Sequence, residues 1–378
     1  MSEKKYFLAL TMIKGLGSTR ISNLLKHFGD AYSIWQANER QLKAVNGIGK
    51  LAEKIIKQKE SININKLLEE INRKKINYTT LVDDKYPKIL KNIYDPPPVL
   101  FYKGKLNFEY PAISIIGSRR STTYGRKYAE KLAYELAQRG VTVISGMARG
   151  IDTCAHVGTL KAKGRTIAVL GSGLDIIYPS ENRDLAKEIQ NEGAIISEYP
   201  PGVKPLSANF PQRNRIISGL SRGILVIEAA DRSGSLITAN LALEQGRELF
   251  AIPGNIDRPQ SRGCNRLIQN GAKMVTNVDD ILEELYLYKE TNNNYRLNKD
   301  NKESYKANYP ELSEKEKNLI KIFENEREMK IDKIISKSGK RASEVNALLL
   351  KLELKGVLKR EAGKKYVFMG LQSLLKPI

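Results

Sequence analysis

Cysteine and histidine are scarce in this sequence, with two of each among 378 residues. Cys154 and Cys264 lie far apart, and no CxxC pair occurs. A Cys/His zinc site lacks both its ligands and their spacing, so that class is excluded, and reduced thiols inside a cell are the default. Long apolar runs are missing too. No stretch approaches the ~20 apolar residues that a membrane helix requires. The opening "MSEKKYFLALTMIKG" is too short in apolar residues for a signal peptide. A cytoplasmic location and no membrane partner are therefore expected. Two nucleotide signatures are also absent. Without a Walker A loop, NTP hydrolysis of that type is excluded. The one glycine turn that follows an apolar run near residue 117 is not GxGxxG, and no acidic residue ends the next strand to take a ribose. No cofactor is expected.

What is abundant is positive charge. Lys+Arg total 63 against 42 Asp+Glu, a formal net charge of +21. An excess of that size points to a polyanionic partner, either nucleic acid or an anionic surface, although a basic surface alone never identifies one. Hydrophobic residues make up 41% of the chain, enough for ordinary cores, and the length suggests two or three domains.

The chain reads as blocks. Residues 1–62 contain two similar turns, Gly15-Leu16-Gly17 and Gly47-Ile48-Gly49, each followed by apolar residues at helical spacing. This is the pattern of a helix-hairpin-helix (SAM-like) module. It serves either to meet a DNA backbone at a helix N-terminus or merely to pack. Residues 63–290 are expected to form an extended Rossmann-like domain. Its first part, 63–110, reads as a connector of strand, turn, short helix and a stiff Pro96-Pro97-Pro98 run. From about 111 to 288, strands such as "AISIIG", "VTVISGM", "TIAVLGS", "AIISEY", "GILVIEA" and "LFAIPG" alternate with amphipathic segments. Strands apolar on both faces belong in a buried parallel sheet. The fold class is α/β, a doubly wound and mostly parallel sheet. An Asn- and Lys-rich stretch at 291–310 reads as a linker. Residues 311–378 give three helices and a short hairpin, with Ser313 as N-cap and Glu316 three residues on. That order resembles a winged helix, which serves either DNA or protein contacts.

Ligands of an open α/β sheet sit at the C-terminal strand ends. Those ends carry Gly117, Ser118, Arg119 and Arg120; Ser145, Gly146, Arg149 and Gly150; Gly171, Ser172 and Gly173; Phe210, Arg213, Asn214 and Arg215; and Ser233, Gly234 and Ser235. Glycines allow close approach of backbone amides to phosphate. Helix starts, such as the one expected from about Thr123, attract anions. Arginines bind phosphate bidentately. One cofactor pyrophosphate needs one such loop; several around one rim suggest several phosphates in a row. Phe210 is either a stacking platform for bases or a buried anchor of its loop. Arg120 faces either the same groove or solvent. Asp152 and His156, one turn apart, could act as a base or metal ligands. A helix-start carboxylate and a buried histidine explain them more simply.

The segments "GSRRSTTYG", "SGMARGIDTCAH", "TIAVLGSGLDIIYP", "SEYPPG", "FPQRNRIISGLS", "SGSLITA" and "AIPGNIDRPQSRGCNRLIQNGA" together resemble the DprA/Smf family of DNA-processing proteins, in that family's order over about 80 to 285. The resemblance implies a non-enzymatic protein that binds and shields single-stranded DNA. It also implies loading of the RecA recombinase during natural transformation and a homodimer formed through the Rossmann-like domain. Carried over, the DNA pocket uses Gly117, Ser118 and Arg119, then Arg149 and Gly150, then Arg213, Asn214 and Arg215, with Phe210 stacking and Arg183 as a weaker addition. On this basis Arg119→Ala or Arg213→Ala is expected to weaken binding with folding intact. Two other classes stay open. The core is similar to that of nucleotide phosphoribohydrolases, but Thr238 stands where their loop carries an essential glutamate. A duplex-DNA regulator would instead bind through the winged helix.

Overall fold

The computed structural model describes residues 3–285, 313–323, 328–354, 357–361 and 365–368. Two compact units divide the chain, residues 1–299 and 300–378. The expected linker 291–310 lies outside the described residues.

The first unit is built on a nine-stranded sheet of β1 (Asn77–Thr80), β2 (Val99–Gly104), β3 (Ala112–Ile116), β4 (Thr142–Ser145), β5 (Thr166–Val169), β6 (Ala194–Ser197), β7 (Gly223–Val226), β8 (Glu248–Ala251) and β9 (Lys273–Met274). Their spatial order is β1-β2-β6-β5-β4-β3-β7-β8-β9. From β6 to β9 all pairings are parallel, while β2 is antiparallel to β6 and β1 to β2. The chain runs outward from β3 to β6, then returns to lay β7 on the other side of β3. This is the reversal of a doubly wound sheet, and it places the switch point between β3 and β7.

The strands are buried on both faces because helices cover both. In β3, Ile113 and Ile115 pack with Leu132, Leu136 and Ala129 on one side, while Ile116 packs with Ile216 and Ile217 on the other. Each such buried side chain contributes about 1.5–3 kcal/mol relative to exposure. The helix Thr123–Gln138 buries Ala129, Leu132, Ala133 and Leu136, one stripe at helical spacing, and Thr122 caps it by accepting from the Gly125 amide.

The segment 63–110 is more than a connector. Its two strands complete one edge of the sheet, and a further helix, Ile64–Arg73, belongs to the helical block before it. Leu67 and Ile71 share one core with Phe7, Leu24 and Ile55, and that core runs on into Phe101, Ala168 and Ile195 of the sheet. The N-terminal helices thus have no closed core of their own. They bury their apolar faces against the β2, β6 and β5 side of the sheet. Their turns use Gly15 at φ +91° and Gly47 at φ +80°, a region closed to most other residues.

The second unit contains the helices Glu314–Lys321, Ile331–Ser338 and Ala342–Leu354. A three-stranded sheet pairs β10 (Glu328–Lys330) and β11 (Leu358–Glu361) with β12 (Lys365–Phe368). Leu319, Ile334, Val345, Leu349 and Tyr366 form its core. This is a winged helix. Ser313 and Glu316 make a capping box in which each side chain receives the other's backbone amide. Among the described residues no helix is long and apolar enough to cross a membrane.

Candidate nucleic-acid interface

A cleft of about 760 Å³ opens at the C-terminal ends of β3 and β7, at the switch point. Its walls include Gly117, Ser118, Arg119, Arg120, Phe210, Arg213, Asn214, Ser233, Gly234 and Ser235. Three of the sequence segments meet here. Arg232, Tyr178 and Asp152 also line it.

The turn after β3 is held from below. Ser118 donates its amide to the Glu228 carbonyl at 2.8 Å. A side chain at Gly117 would strike Ile151 and that same carbonyl, so glycine is required by packing as well as by ligand access. Glu228, only 4% exposed, sends its carboxylate to the next helix start. It accepts from the Thr122 amide at 2.8 Å and from the Thr122 hydroxyl, which bonds it tightly. Gly125 leaves room for this carboxyl group. The helix start at Thr123 was expected to receive a ligand's anion; Glu228 already sits there, where the helix dipole favours it. What the turn offers outward is Arg119 and Arg120. Both are exposed, as is Arg232, and no ion pair engages the three among the described residues.

The other helix start is different. Ser233 caps the helix Gly234–Glu244 by accepting from the Ser235 amide at 3.3 Å, and its hydroxyl lies 2.6 Å from that of Ser235. A methyl group on Gly234 would meet nothing. This rim is hydroxyl-rich and open.

Phe210 stands between these walls. Its ring packs on the backbone at Gly171, where a side chain would crowd it. The Arg119 guanidinium lies 5.4 Å and that of Arg213 5.9 Å from the ring centroid, and the Tyr178 ring is 5.7 Å away. The ring is half-buried, so it is anchored from one side and still lines the cleft. Tyr178 escaped the sequence reading, although it follows the β5 rim by a few residues. Arg232 directly precedes the "SGSLITA" motif and was passed over for its serine and glycine neighbours.

The arginines separate by environment. Arg213 is only 3% exposed. Its Nη1 donates to the carbonyls of Gly146 (2.6 Å) and Val169 (2.5 Å). Burial pulls its pKa down to about 10, against the nearby Asp152 carboxylate. Asp152 accepts from the amides of Gly146 and Ala148, and burial raises it to about 6 despite Arg213. Arg213 is thus a strut tying the cleft floor together. Gly146 lies beneath it, since a side chain there would occupy the guanidinium's place. His156 is fully buried with Nδ1 2.7 Å from the Thr166 hydroxyl. It makes no pair with Asp152.

Arg215 does not reach the cleft. It is 7% exposed and bonds Asp95 at 2.9 Å, Glu198 at 2.6 Å and the Ser18 hydroxyl at 3.1 Å. On its helix, Phe210, Arg213, Asn214 and Ile217 face the cleft, and position 215 falls on another face. Arg149 is exposed and forks onto Glu181 at 2.8 and 2.7 Å. Arg183 is exposed at the start of the helix Arg183–Glu192, and neither lines the cleft. Gly150 lies behind the first turn at φ +80°, its missing side chain making space for the Ser118 carbonyl. Among the described residues no group of three His, Cys, Asp or Glu could hold a metal ion.

Comparison with known proteins identifies the family. The family model of DNA recombination-mediator protein A matches residues 77–286, and that of the DprA winged helix domain matches 303–364. Protein Smf of Synechocystis is 38% identical over 97% of this chain and 98% of its own length. DNA processing protein DprA of Streptococcus pneumoniae is 49% identical over 54% of this chain and 73% of its own. Its X-ray structure superposes with a TM-score of 0.66 over 74% of this chain and 97% of that one, at 38% identity. DNA processing protein A of Helicobacter pylori, described for its single-stranded DNA binding mode, superposes with a TM-score of 0.51 at 33% identity, over 56% of this chain and 96% of that one. By profile, by near full-length identity and by fold, the chain belongs to the DNA recombination-mediator protein A family, the DprA/Smf proteins.

Proposed function

We propose that the switch-point cleft holds single-stranded DNA without catalysis, and that the chain delivers that strand to the RecA recombinase as a homodimer. The observation that carries the reading is the pairing of three exposed, unneutralised arginines with a half-buried aromatic in one open groove. Arg119, Arg120 and Arg232 contact phosphates, and Phe210 stacks a base, which is worth roughly 1–3 kcal/mol per base. Asn214 and the Ser233–Ser235 rim supply neutral hydrogen bonds. Arg213 shapes the floor. The RecA and dimer assignments rest on family resemblance.

The hydrolase reading has little to support it. Thr238 lies buried at the cleft wall where a glutamate would be needed, and Asp152 is engaged by two backbone amides. The test compares oligo-dT with duplex DNA over a salt series. Oligo-dT should bind more tightly, with affinity falling steeply as salt rises, and Arg119→Ala should weaken it without changing thermal stability. A chain ending before residue 300 should retain this binding. Loss of single-strand binding on that truncation, with Arg119→Ala silent, would transfer the role to the winged helix. Release of free base from nucleoside monophosphates would restore the hydrolase.

A further inference from the structure

Tyr178 lines the switch-point cleft with a ring that is 44% exposed. Among the described residues its hydroxyl has no hydrogen-bond partner, so no polar contact ties the side chain into the wall. The backbone on either side of it is fixed. Before it, the Ser172 hydroxyl donates to the Ile176 carbonyl at 2.7 Å, and the Ile176 amide to the Gly173 carbonyl at 3.0 Å. Ile177 turns inward and packs against the core that the helical block shares with the sheet. After it, Asn182, only 6% exposed, donates Nδ2 to the Met147 carbonyl and to the Thr153 hydroxyl, both at 2.9 Å. The exposed ring is therefore held out from a loop anchored at both ends, which is the arrangement of a preorganised contact.

The ring's neighbour is Phe210, 5.7 Å away between centroids and tilted by 46°. Phe210 is half-buried on Gly171, with the guanidinium groups of Arg119 and Arg213 beside it. It has surface for one base. Tyr178 offers a second surface, turned away from the first. The bases of a duplex stay parallel to their neighbours and cannot face two planes 46° apart. Those of a single strand turn independently about the backbone and can each lie on an aromatic face. Because the two rings touch, the bases that they take must be consecutive in the strand.

We propose that Tyr178 is a second stacking platform, which takes the base next to the one on Phe210, and that this tilted pair favours single strands over duplex. The assignment rests on the single-strand reading of the cleft. It gives a function to a rigidly presented ring that the packing of the cleft does not require.

The test uses the full chain and an oligo-dT of about 6 nucleotides, short enough to hold one register in the cleft. Each base in turn is removed to leave an abasic site. Two neighbouring abasic positions should each weaken binding to the wild type by about tenfold, within the range that one stacked base supplies. Tyr178→Ala should weaken the intact oligomer by about tenfold at an unchanged thermal midpoint. It should leave duplex affinity unchanged and make one of those two positions silent. Phe210→Ala should make the other silent. Tyr178→Phe keeps the ring and should keep wild-type affinity, while Tyr178→Leu, apolar but without a ring, should behave as Tyr178→Ala does. One sensitive position in the wild type, or the same position silenced by Tyr178→Ala and Phe210→Ala, overturns the second platform and makes Tyr178 a buttress of Phe210, while the cleft stands. Equal losses on single strand and duplex overturn its part in strand preference. If Arg119→Ala also leaves the intact oligomer unaffected and no abasic position matters, the cleft reading fails with it.

Discussion

Replacing Arg213 by alanine is expected to lower folding stability first and DNA affinity only as a consequence. The guanidinium makes two short charge-assisted bonds to buried carbonyls, Gly146 and Val169, each worth about 1.5–3 kcal/mol. Truncation leaves both carbonyls without that donor and leaves the buried Asp152 without the positive charge of Arg213. Against this, the variant no longer buries an arginine, which returns part of the loss. A net destabilisation of about 3 kcal/mol follows from these magnitudes. That is a large share of a typical total of about 5–15 kcal/mol. At about 2–4 °C per kcal/mol, the thermal midpoint should fall by roughly 6–12 °C. The assay is thermal and urea unfolding of the full chain, with oligo-dT binding measured well below the variant's midpoint. Arg119→Ala serves as the contrast, with weaker binding at an unchanged midpoint. An Arg213→Ala protein with the wild-type midpoint and abolished DNA binding would refute the strut assignment and return Arg213 to direct contact, as its motif alone suggests.

Two further predictions concern the same scaffold. Burial lowers the pKa of His156 to about 3 from 6.5. Its contribution to stability is therefore complete above pH 6.5 and lost as pH falls towards 3, at about 1.4 kcal/mol per unit. Asp152, raised to about 6, acts in the opposite sense, contributing below its unfolded pKa and losing that contribution as pH rises through 6. Comparing wild type with His156→Gln by urea unfolding at pH 7 and 5 cancels the Asp152 effect. The stability gap should narrow by roughly 2 kcal/mol at the lower pH, and a gap that stays constant rules out a neutral buried histidine. Gly150→Ala forces φ +80° on a residue with a side chain and pushes that side chain into the Ser118 carbonyl. About 1–2 kcal/mol of backbone strain, together with displacement of the Arg119 turn, should reduce both the midpoint and oligo-dT affinity, whereas Gly234→Ala, open on all sides, should leave the midpoint unchanged.

The alternation of apolar strands with amphipathic helices was legible because each segment's periodicity is local and strong. The boundary of the helical block was not. Its helices bury Leu67 and Ile71 in a core shared with Phe101 and Ile195, and shared burial between distant segments leaves no mark in local spacing. Among the rim residues, Gly117, Arg119 and the Ser233–Ser235 loop fall on the cleft because strand ends in such a sheet share one edge. Tyr178 was missed because it reaches the cleft by folding back toward Phe210.

Chain chemistry alone therefore determined the doubly wound sheet, the terminal modules and the rim on which a polyanion would be expected. A strand's period and a glycine's position are properties of neighbouring residues, so they can be read in order. Tertiary structure alone decided which arginines are available. Arg119 remains outside, Arg213 is locked between two strands, and Arg215 is committed to Asp95, Glu198 and Ser18, the last of them 197 residues away. The three have similar motif contexts, and they differ because solvent exposure and counter-charge are set by residues that meet only when the chain is folded.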